Sequence, residues 1–358
     1  MGFLSKLSNI FKKKDDGIVV LSLLDGIGGA YLALNKAGIK VKKYYASEID
    51  KHAIHQSQIN FPGIKHLGDI RRITKDNLPS RIDLVIGGSP CQSFIFTGSH
   101  EGESGMEELE ITTLNDYLSL KNEGFNFKSE NCLFWEFVRV LEEVKKNNPD
   151  VKFLLENVGV GKKWEDVITA AIGTKPYRIN SKRVSGQNRK RLYWTNICEV
   201  IIWDVYKDNA HPLYEYLEDE PVEKDCFLPI ESVEKILDRM DVKSVPKTIP
   251  LGVWLPYDDY NHKFPKCITK IGTVRQTFGN KAPANGYKLI RERVTGAIEF
   301  KDAKNVDIRI LPPTECANLQ TIPKNYQWDV SDRQMYKLLG NTWTVDVVAK
   351  IVGYLKRK

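Results

Sequence analysis

The chain has 358 residues, 42% of them hydrophobic and 28% charged, a globular balance that excludes wholesale disorder. Lys and Arg number 53 against 46 Asp and Glu, a formal net charge of +7, too mild an excess to establish a polyanionic partner by itself. No apolar run approaches the ~18 residues of a membrane span, and the length predicts two domains of about 100–200 residues each.

Residues 1–16 open the chain as a short, basic, loosely ordered leader. Residues 18–24 (IVVLSLL) form a continuous apolar run between Gly17 and Asp25-Gly26, the pattern of a buried parallel strand. A helix is expected over 30–37 with Gly38 as its stop, a strand over 41–47, and a helix over 51–60 ended by Phe61-Pro62-Gly63. A strand over 82–86 runs into Gly87-Gly88, apolar residues at helical spacing fill 134–147, and VKFLL at 151–155 is again a strand. Alternating strands and helices predict an α/β fold, a doubly wound, mostly parallel sheet covered on both faces.

Two regions interrupt this pattern. Residues 97–131 read as a long polar insertion carrying Gly98, Gly102, Gly105 and Gly124, of the kind that serves as a lid, a binding element or a disordered loop. Residues 201–308 are irregular and Pro-rich, the character of a smaller second domain. From Asp332 helical periodicity resumes and is expected to pack back on the first domain. The domain division is therefore 17–200 plus 332–358 for the sheet domain and 201–331 for the smaller one.

Charge is unevenly distributed. Residues 172–198 and 263–291 each carry seven basic and no acidic residues, whereas 201–262 carry 14 acidic against 6 basic. Two long one-signed runs favour a surface that faces a polyanion over a merely solvated face. The six cysteines (Cys91, Cys132, Cys198, Cys226, Cys267, Cys316) stand singly, with no CxxC pair and no secretory signal. A disulfide scaffold or metal module is not expected, and the reducing cytoplasm is the natural compartment. No heptad or apolar stripe calls for a second copy, so a monomer is expected.

Chemistry-bearing residues gather at the ends of the expected strands. Asp25-Gly26-Ile27-Gly28-Gly29 follows the first strand, where glycines let backbone approach a nucleotide, or simply make a tight turn. Glu48, beside Ile49 at the end of the second strand, is spaced to accept ribose hydroxyls, and Asp69 after a third strand could face an adenine amine. Gly87-Gly88-Ser89-Pro90-Cys91-Gln92 delivers a cysteine to the same edge, where a thiolate is a nucleophile. Glu156-Asn157 ends the neighbouring strand as a candidate general acid or a helix cap. Gln187-Asn188-Arg189-Lys190-Arg191 brings guanidiniums to this edge. A pyrimidine fits such a set: a thiol adds to C6, an acid serves N3, an arginine serves O2, and the activated C5 attacks a methyl group.

Over nearly its whole length the chain resembles the DNA (cytosine-5) methyltransferases. Leu24-Asp25-Gly26-Ile27-Gly28-Gly29 is similar to the first S-adenosylmethionine motif, and Glu48 and Asp69 to its ribose- and adenine-binding acids. Pro90-Cys91-Gln92 is similar to the catalytic Pro-Cys motif, Glu156-Asn157-Val158 to the Glu-Asn-Val motif, and Gln187-x-Arg189-x-Arg191 to the Gln-x-Arg-x-Arg motif. Arg309-Ile310-Leu311 with Glu315 and Leu319-Gln320 resembles the penultimate motif, and Gly340-Asn341 the last. The resemblance implies S-adenosylmethionine as cofactor, held by Leu24, Asp25, Gly26, Ile27, Gly28, Gly29, Glu48, Ile49, Asp69, Ile70, Pro90, Asn341 and Trp343. It implies Cys91, Glu156, Asn157, Gln187, Arg189 and Arg191 as the catalytic set, with Arg189 on the target base. It also makes the smaller domain a target-recognition unit for double-stranded DNA, and a cognate restriction endonuclease a functional partner. The insertion and the Cys91 loop are expected to close over a flipped base.

The chain departs from the family in places. Leu24 replaces an aromatic, Ser93-Phe94-Ile95 replaces Gly-Phe-Ser, and the 97–131 insertion exceeds the usual loop. Through Ser89-Pro90-Cys91 the chain is also similar to the animal de novo branch, whereas Gln92 and Asn341 resemble the bacterial and phage type. The alternatives are a tRNA methyltransferase of the same fold, whose Cys-Phe-Thr marker is here Cys226-Phe227-Leu228, a free-nucleotide enzyme of the thymidylate synthase type, and a catalytically inactive DNA-binding homologue.

Overall fold

A computed structural model of the protein describes residues 17–89, 95–100, 107–197, 212–218, 226–244, 254–258, 261, 287–292 and 303–357. The leader and most of the second basic run lie outside these residues.

The chain enters the sheet at β1 (Ile18–Leu23), turns through residues 24–28 into α1 (Gly29–Lys36), and returns as β2 (Val41–Ser47). Gly38 stops α1 in the left-handed region at φ +64°. Helix α2 (Lys51–Asn60) starts where Asp50 accepts a hydrogen bond from the His52 amide at 2.9 Å. Strands β3 (Ile64–His66) and β4 (Leu84–Gly88) follow, the latter starting two residues later and running two further than the apolar pattern predicts.

Of the alternatives for the 97–131 insertion, lid, binding element or disordered loop, its described residues exclude the last. Its described residues form β5 (Ile95–His100), β6 (Glu107–Glu110), α3 (Leu114–Asn122) and β7 (Phe125–Phe127), with the strands in a small antiparallel sheet in the order β6-β5-β7. Ile111, Tyr117 and Phe125 bury their side chains beneath it, so this segment carries its own apolar anchor.

The main chain resumes with α4 (Cys132–Asn147), β8 (Lys152–Asn157), α5 (Lys162–Ile172), β9 (Pro176–Asn180) and β10 (Lys190–Thr195). The seven strands lie in the order β3-β2-β1-β4-β8-β10-β9. β3, β2, β1, β4 and β8 run parallel, and β10 is antiparallel to both of its neighbours. Alternate residues of the buried strands serve opposite faces. Val20 joins one apolar cluster, with α1 and the C-terminal helices, while Leu21 and Leu23 join a second, with α4, α5 and the insertion. This is the expected doubly wound α/β sheet.

Beyond the sheet, α6 (Ile230–Arg239) packs on a three-stranded sheet of β11 (Leu255–Asp258), β12 (Tyr287–Glu292) and β13 (Val306–Arg309). Val233, Ile236, Tyr257, Ile290 and Ile308 give this region a core of its own. From Leu311 the chain is back in the first cluster: Leu311, Cys316 and Leu319 around α7 (Pro313–Leu319), then Ile322 and Tyr326, all pack there. The return thus begins about twenty residues before α8 (Asp332–Asn341) and α9 (Val345–Val352). Among the described residues, no helix is long and apolar enough to cross a membrane.

Candidate active site

The carboxyl ends of β1, β2, β4 and β8 line up along one edge of the sheet. At the end of β1 the backbone turns through Leu24 at φ +58°, Gly26 at +60° and Gly28 at +80°. A side chain at Gly28 would also meet the Phe61 ring, 3.0 Å from its β-carbon position, so glycine is required there twice over. Glu48 clamps the turn from the end of β2: its Oε2 accepts from the Gly26 amide at 2.8 Å, and its Oε1 from the amides of Ile49 and Asp50 at 2.8 and 2.9 Å. Ile49 beside it is an apolar side chain 65% exposed. Ile27 is fully buried, and its carbonyl accepts from the Tyr326 hydroxyl at 2.9 Å.

Asp25 lies buried under this turn, with Oδ1 accepting a 2.5 Å hydrogen bond from Tyr44. Burial pushes its carboxyl up to about 7, against the lowering influence of the nearby Ser22 and Tyr44 hydroxyls and with help from the Glu48 charge. Its Oδ2 has no hydrogen-bond partner. A buried carboxylate oxygen without a partner is costly in isolation, and it fits a site built to receive a cationic or hydrogen-bonding ligand. Glycine turn, clamped acid and exposed isoleucine lie at the carboxyl edge of the sheet, where open α/β folds bind nucleotides.

Asp69 caps the short turn after β3, accepting from the Arg71 amide at 2.9 Å and pairing with the Arg71 guanidinium at 2.6 Å. Burial raises its carboxyl pKa, but the Arg71 hydrogen bonds outweigh burial and hold it below the ordinary value. Ile70 follows Asp69 with its side chain turned into the interior. It is 2% exposed and belongs to the second apolar cluster, leaving only its backbone available.

The second half of the site surrounds the end of β4. Gly87 has no room for a side chain, because a β-carbon would overlap the Leu23 carbonyl of the neighbouring strand. A β-carbon on Gly88 would stand 2.9 Å from Trp343 Nε1 and 3.1 Å from Glu156 Oε2. The indole also approaches the glycine turn, with Cε3 at 3.8 Å from the corresponding position on Gly29. Trp343 thus spans the two halves of the edge. The Ser89 amide donates to the Glu156 carbonyl at 3.2 Å. Pro90, Cys91 and Gln92 lie outside the described residues.

Glu156 is buried at the end of β8, with Oε1 paired to Arg191 Nε at 3.0 Å. Asn157 beside it is 1% exposed, with Oδ1 held by the Val158 amide at 2.7 Å. Of the two arginines of the Gln-x-Arg-x-Arg segment it is Arg191, not Arg189, that stands against Glu156. Arg189 is buried beneath, and its Nη2 donates to the carbonyls of Gly340 and Thr342 at 3.3 and 3.0 Å. It fixes the segment carrying Asn341 and Trp343. Arg191 lies on β10 two residues before Tyr193, the register partner of Glu156, whereas Arg189 precedes the strand. Burial draws the Arg189 guanidinium down to about 10, with the Arg191 charge adding and Glu156 opposing. It stays cationic at neutral pH.

Gln187 is likewise a support. Fully buried, its amide reaches the Leu319 carbonyl and the Gln320 side chain, both at 3.3 Å. Gln320 in turn holds the Leu339 carbonyl at 2.9 Å, and Arg309 and Glu315 pair twice at 2.8 Å with both side chains fully buried. Sequence reasoning missed Tyr44 and Tyr326. Their signal was faint, as each reads as an ordinary core aromatic until its hydroxyl is seen against the Gly turn. Among the described residues no group of His, Cys, Asp and Glu could hold a metal ion.

A family model described as C-5 cytosine-specific DNA methylase matches residues 18–165 and 180–357. Over 365 residues the chain is 26% identical to Type II methyltransferase M.HhaI of Haemophilus parahaemolyticus, covering 95% of this chain and 94% of that protein. It is 27% identical over 364 residues to Type II methyltransferase M.MspI of Moraxella sp, covering 97% and 73%. Among solved structures, the S. pombe Dnmt2 methyltransferase superposes with a TM-score of 0.65 at 19% identity, covering 95% of this chain and 98% of that one. The Entamoeba histolytica methyltransferase EhMeth gives 0.63 at 14%, covering 95% and 98%. At such identities the two structures speak for the fold alone. The family match spans both halves of the sheet edge and the region between them, and the chain belongs to the C-5 cytosine-specific DNA methylases, a DNA (cytosine-5) methyltransferase.

Proposed function

We propose that the chain transfers a methyl group from S-adenosylmethionine to C5 of a cytosine flipped out of double-stranded DNA, by covalent attack of Cys91 on C6. The observation that carries this reading is the meeting of Glu156, Arg191 and Trp343 at Gly88, three residues before Cys91 and across the indole from the glycine turn. Asp25, Gly26, Gly28 and Glu48 would hold the cofactor's amino-acid and ribose portions, with Ile49 and Asp69 at its base and Trp343 on its flank. Bound there, S-adenosylmethionine supplies an electrophilic methyl group.

In this mechanism the Cys91 thiolate forms a bond to C6, and the displaced electrons move toward N3 and O2. Glu156 Oε2 serves N3, while Arg191 both fixes Oε1 and stabilises the charge at O2. C5 becomes nucleophilic and would take the methyl group, the S–CH3 bond breaking with its electron pair left on the departing thioether. A base then removes the C5 proton, the electrons return through C5–C6, and the C6–S bond breaks. Arg189, Gln187 and Asn157 position the edge and do not touch the base. Flipping costs a few kcal/mol of unstacking, repaid by closure of the Cys91 loop over the base.

The region 201–308, with its separate core and the basic run at 263–291, is read as the DNA-recognition unit, reaching base edges in the major groove. The enzyme acts as a cytoplasmic monomer. Relatives named Type II methyltransferases support a role as the modification half of a restriction–modification pair.

The test is transfer of labelled methyl from S-adenosylmethionine by wild type and Cys91→Ala, on mixed duplex DNA and on tRNA. Labelled 5-methylcytosine in DNA that disappears in the variant is expected. Label in tRNA alone would move the substrate to RNA, and equal labelling by the variant would remove Cys91 from the mechanism.

A further inference from the structure

The insertion at 97–131 is joined to the sheet by a buried charged node that the mechanism above does not use. Glu136 on α4 is fully buried. Its Oε1 accepts from the Tyr117 hydroxyl of α3 at 2.5 Å and from the Lys121 ammonium, also of α3. Its Oε2 accepts from Arg139 Nε at 2.6 Å, one helical turn along. Arg139 then reaches across to the loop after β3, where Nη1 donates to the Ile73 carbonyl at 2.8 Å and Nη2 to the Ile70 carbonyl at 3.1 Å. Those two carbonyls bracket the turn that Asp69 caps. A continuous path of charge-assisted hydrogen bonds therefore runs from the insertion to the adenine side of the cofactor edge.

Three further features bear on its role. Buried charges in such a network are stable only as a complete set, so altering one member disturbs the others. The insertion carries eight acidic residues against two basic, Lys121 and Lys128, and Lys121 is neutralised by Glu136. A surface of that sign repels phosphates, which suits poorly an element that wraps DNA. Finally, Glu110 of β6 pairs with Lys163 of α5 at 2.7 Å, a second tie of the insertion to the sheet domain.

We propose that Glu136 and Arg139 are positioning residues for the adenine side of the cofactor site, and that Tyr117 and Lys121 make the 97–131 insertion part of that device. Arg139 holds the Ile70–Ile73 backbone at the spacing the cofactor needs, and the insertion orients Arg139 through Glu136. The proposal rests on the reading of this edge as the S-adenosylmethionine site.

The test uses the full chain as wild type, Tyr117→Phe, Arg139→Lys and Glu48→Gln. S-adenosylhomocysteine binding is measured by calorimetry, duplex DNA binding by fluorescence anisotropy, and methyl transfer as KM and kcat. Tyr117→Phe keeps the ring in the core and removes one hydroxyl, so it folds even where Arg139→Lys does not. The expected result for Tyr117→Phe is a rise on the order of 5- to 20-fold in the S-adenosylhomocysteine Kd and the cofactor KM, the size of ordinary coupling between sites. Its kcat at saturating cofactor and its DNA Kd stay at the wild-type values. Unchanged cofactor affinity, or a loss confined to DNA affinity or kcat, overturns the proposal. If wild type binds S-adenosylhomocysteine and Glu48→Gln weakens it while Tyr117→Phe does not, this proposal alone fails. If wild type binds none, the cofactor reading fails with it.

Discussion

Gly88 and Trp343 approach so closely that a β-carbon on the glycine would stand 2.9 Å from the indole Nε1. The indole is 8% exposed and packed in the first apolar cluster, so it has little room to withdraw. Gly88→Ala forces either the ring or the Glu156 carboxylate aside. The expected outcome is a loss of about 1–3 kcal/mol in stability, as for overpacking elsewhere, with a larger proportional loss of methyl transfer. Urea unfolding beside kcat separates the two, and a variant that keeps wild-type kcat would show that the site tolerates the extra methyl.

The pairing of Arg191 with Glu156 makes a sharper prediction for the chemical step. Glu156→Gln keeps the shape but removes the acid, so kcat should fall by about 10²–10⁴, the usual range for a lost general acid. Arg191→Gln leaves Glu156 unanchored and should lower kcat with little effect on cofactor Kd. Arg189→Gln differs. Releasing Gly340 and Thr342 lets Trp343 shift, so cofactor affinity should fall as well. Kd and kcat measured on all three variants test that division of labour.

Gly28 sits at φ +80° with the Phe61 ring 3.0 Å from where a β-carbon would be. Gly28→Ala carries a conformational cost of roughly 1–2 kcal/mol, with the ring contact added. A cofactor KM raised by about tenfold or more is expected, since about 1.4 kcal/mol is one decade. Titration of the variant with S-adenosylhomocysteine reads this directly.

Asp25 gives a pH prediction. Burial raises its carboxyl from 3.8 to about 7, so the folded chain holds this proton more tightly than the unfolded one. The stabilisation is full below pH 3.8 and is lost as pH rises through about 7. In Asp25→Asn that loss disappears. The difference in unfolding free energy between variant and wild type should therefore move in the variant's favour from pH 4 to 7, by on the order of 3 kcal/mol. Chemical denaturation at several pH values in the absence of cofactor measures it, and a flat difference would mean that Asp25 stays ionised throughout.

Much of the sheet domain was legible in the sequence because its strands are buried on both faces. The expected strand at 41–47 and helix at 51–60 match β2 and α2 end to end, each bounded by strong punctuation at Gly38, Asp50 and Pro62. The insertion was not legible. β6 reads Glu-Glu-Leu-Glu, a poor strand former whose apolar signal is Leu109 alone, and its place is set by pairing with β5 and by the ion pair of Glu110 with Lys163 of α5. Glu136 and Arg139 were hidden for a related reason. At i, i+3 on an amphipathic helix they look like a solvated pair, and only the packing of α3 above them makes the pair a buried node. Which arginine meets Glu156 also escaped the motif, because that choice belongs to the register of β10 against β8.

The glycine turn is built from residues 24–29, yet its bracing arrives at the far end of the chain. Tyr326 holds the Ile27 carbonyl, Trp343 spans from Gly29 to Gly88, and α9 packs against α1. The turn's shape is therefore set by residues remote from it in sequence, so a change at Tyr326, Trp343 or α9 would reach it without altering any residue of the turn itself.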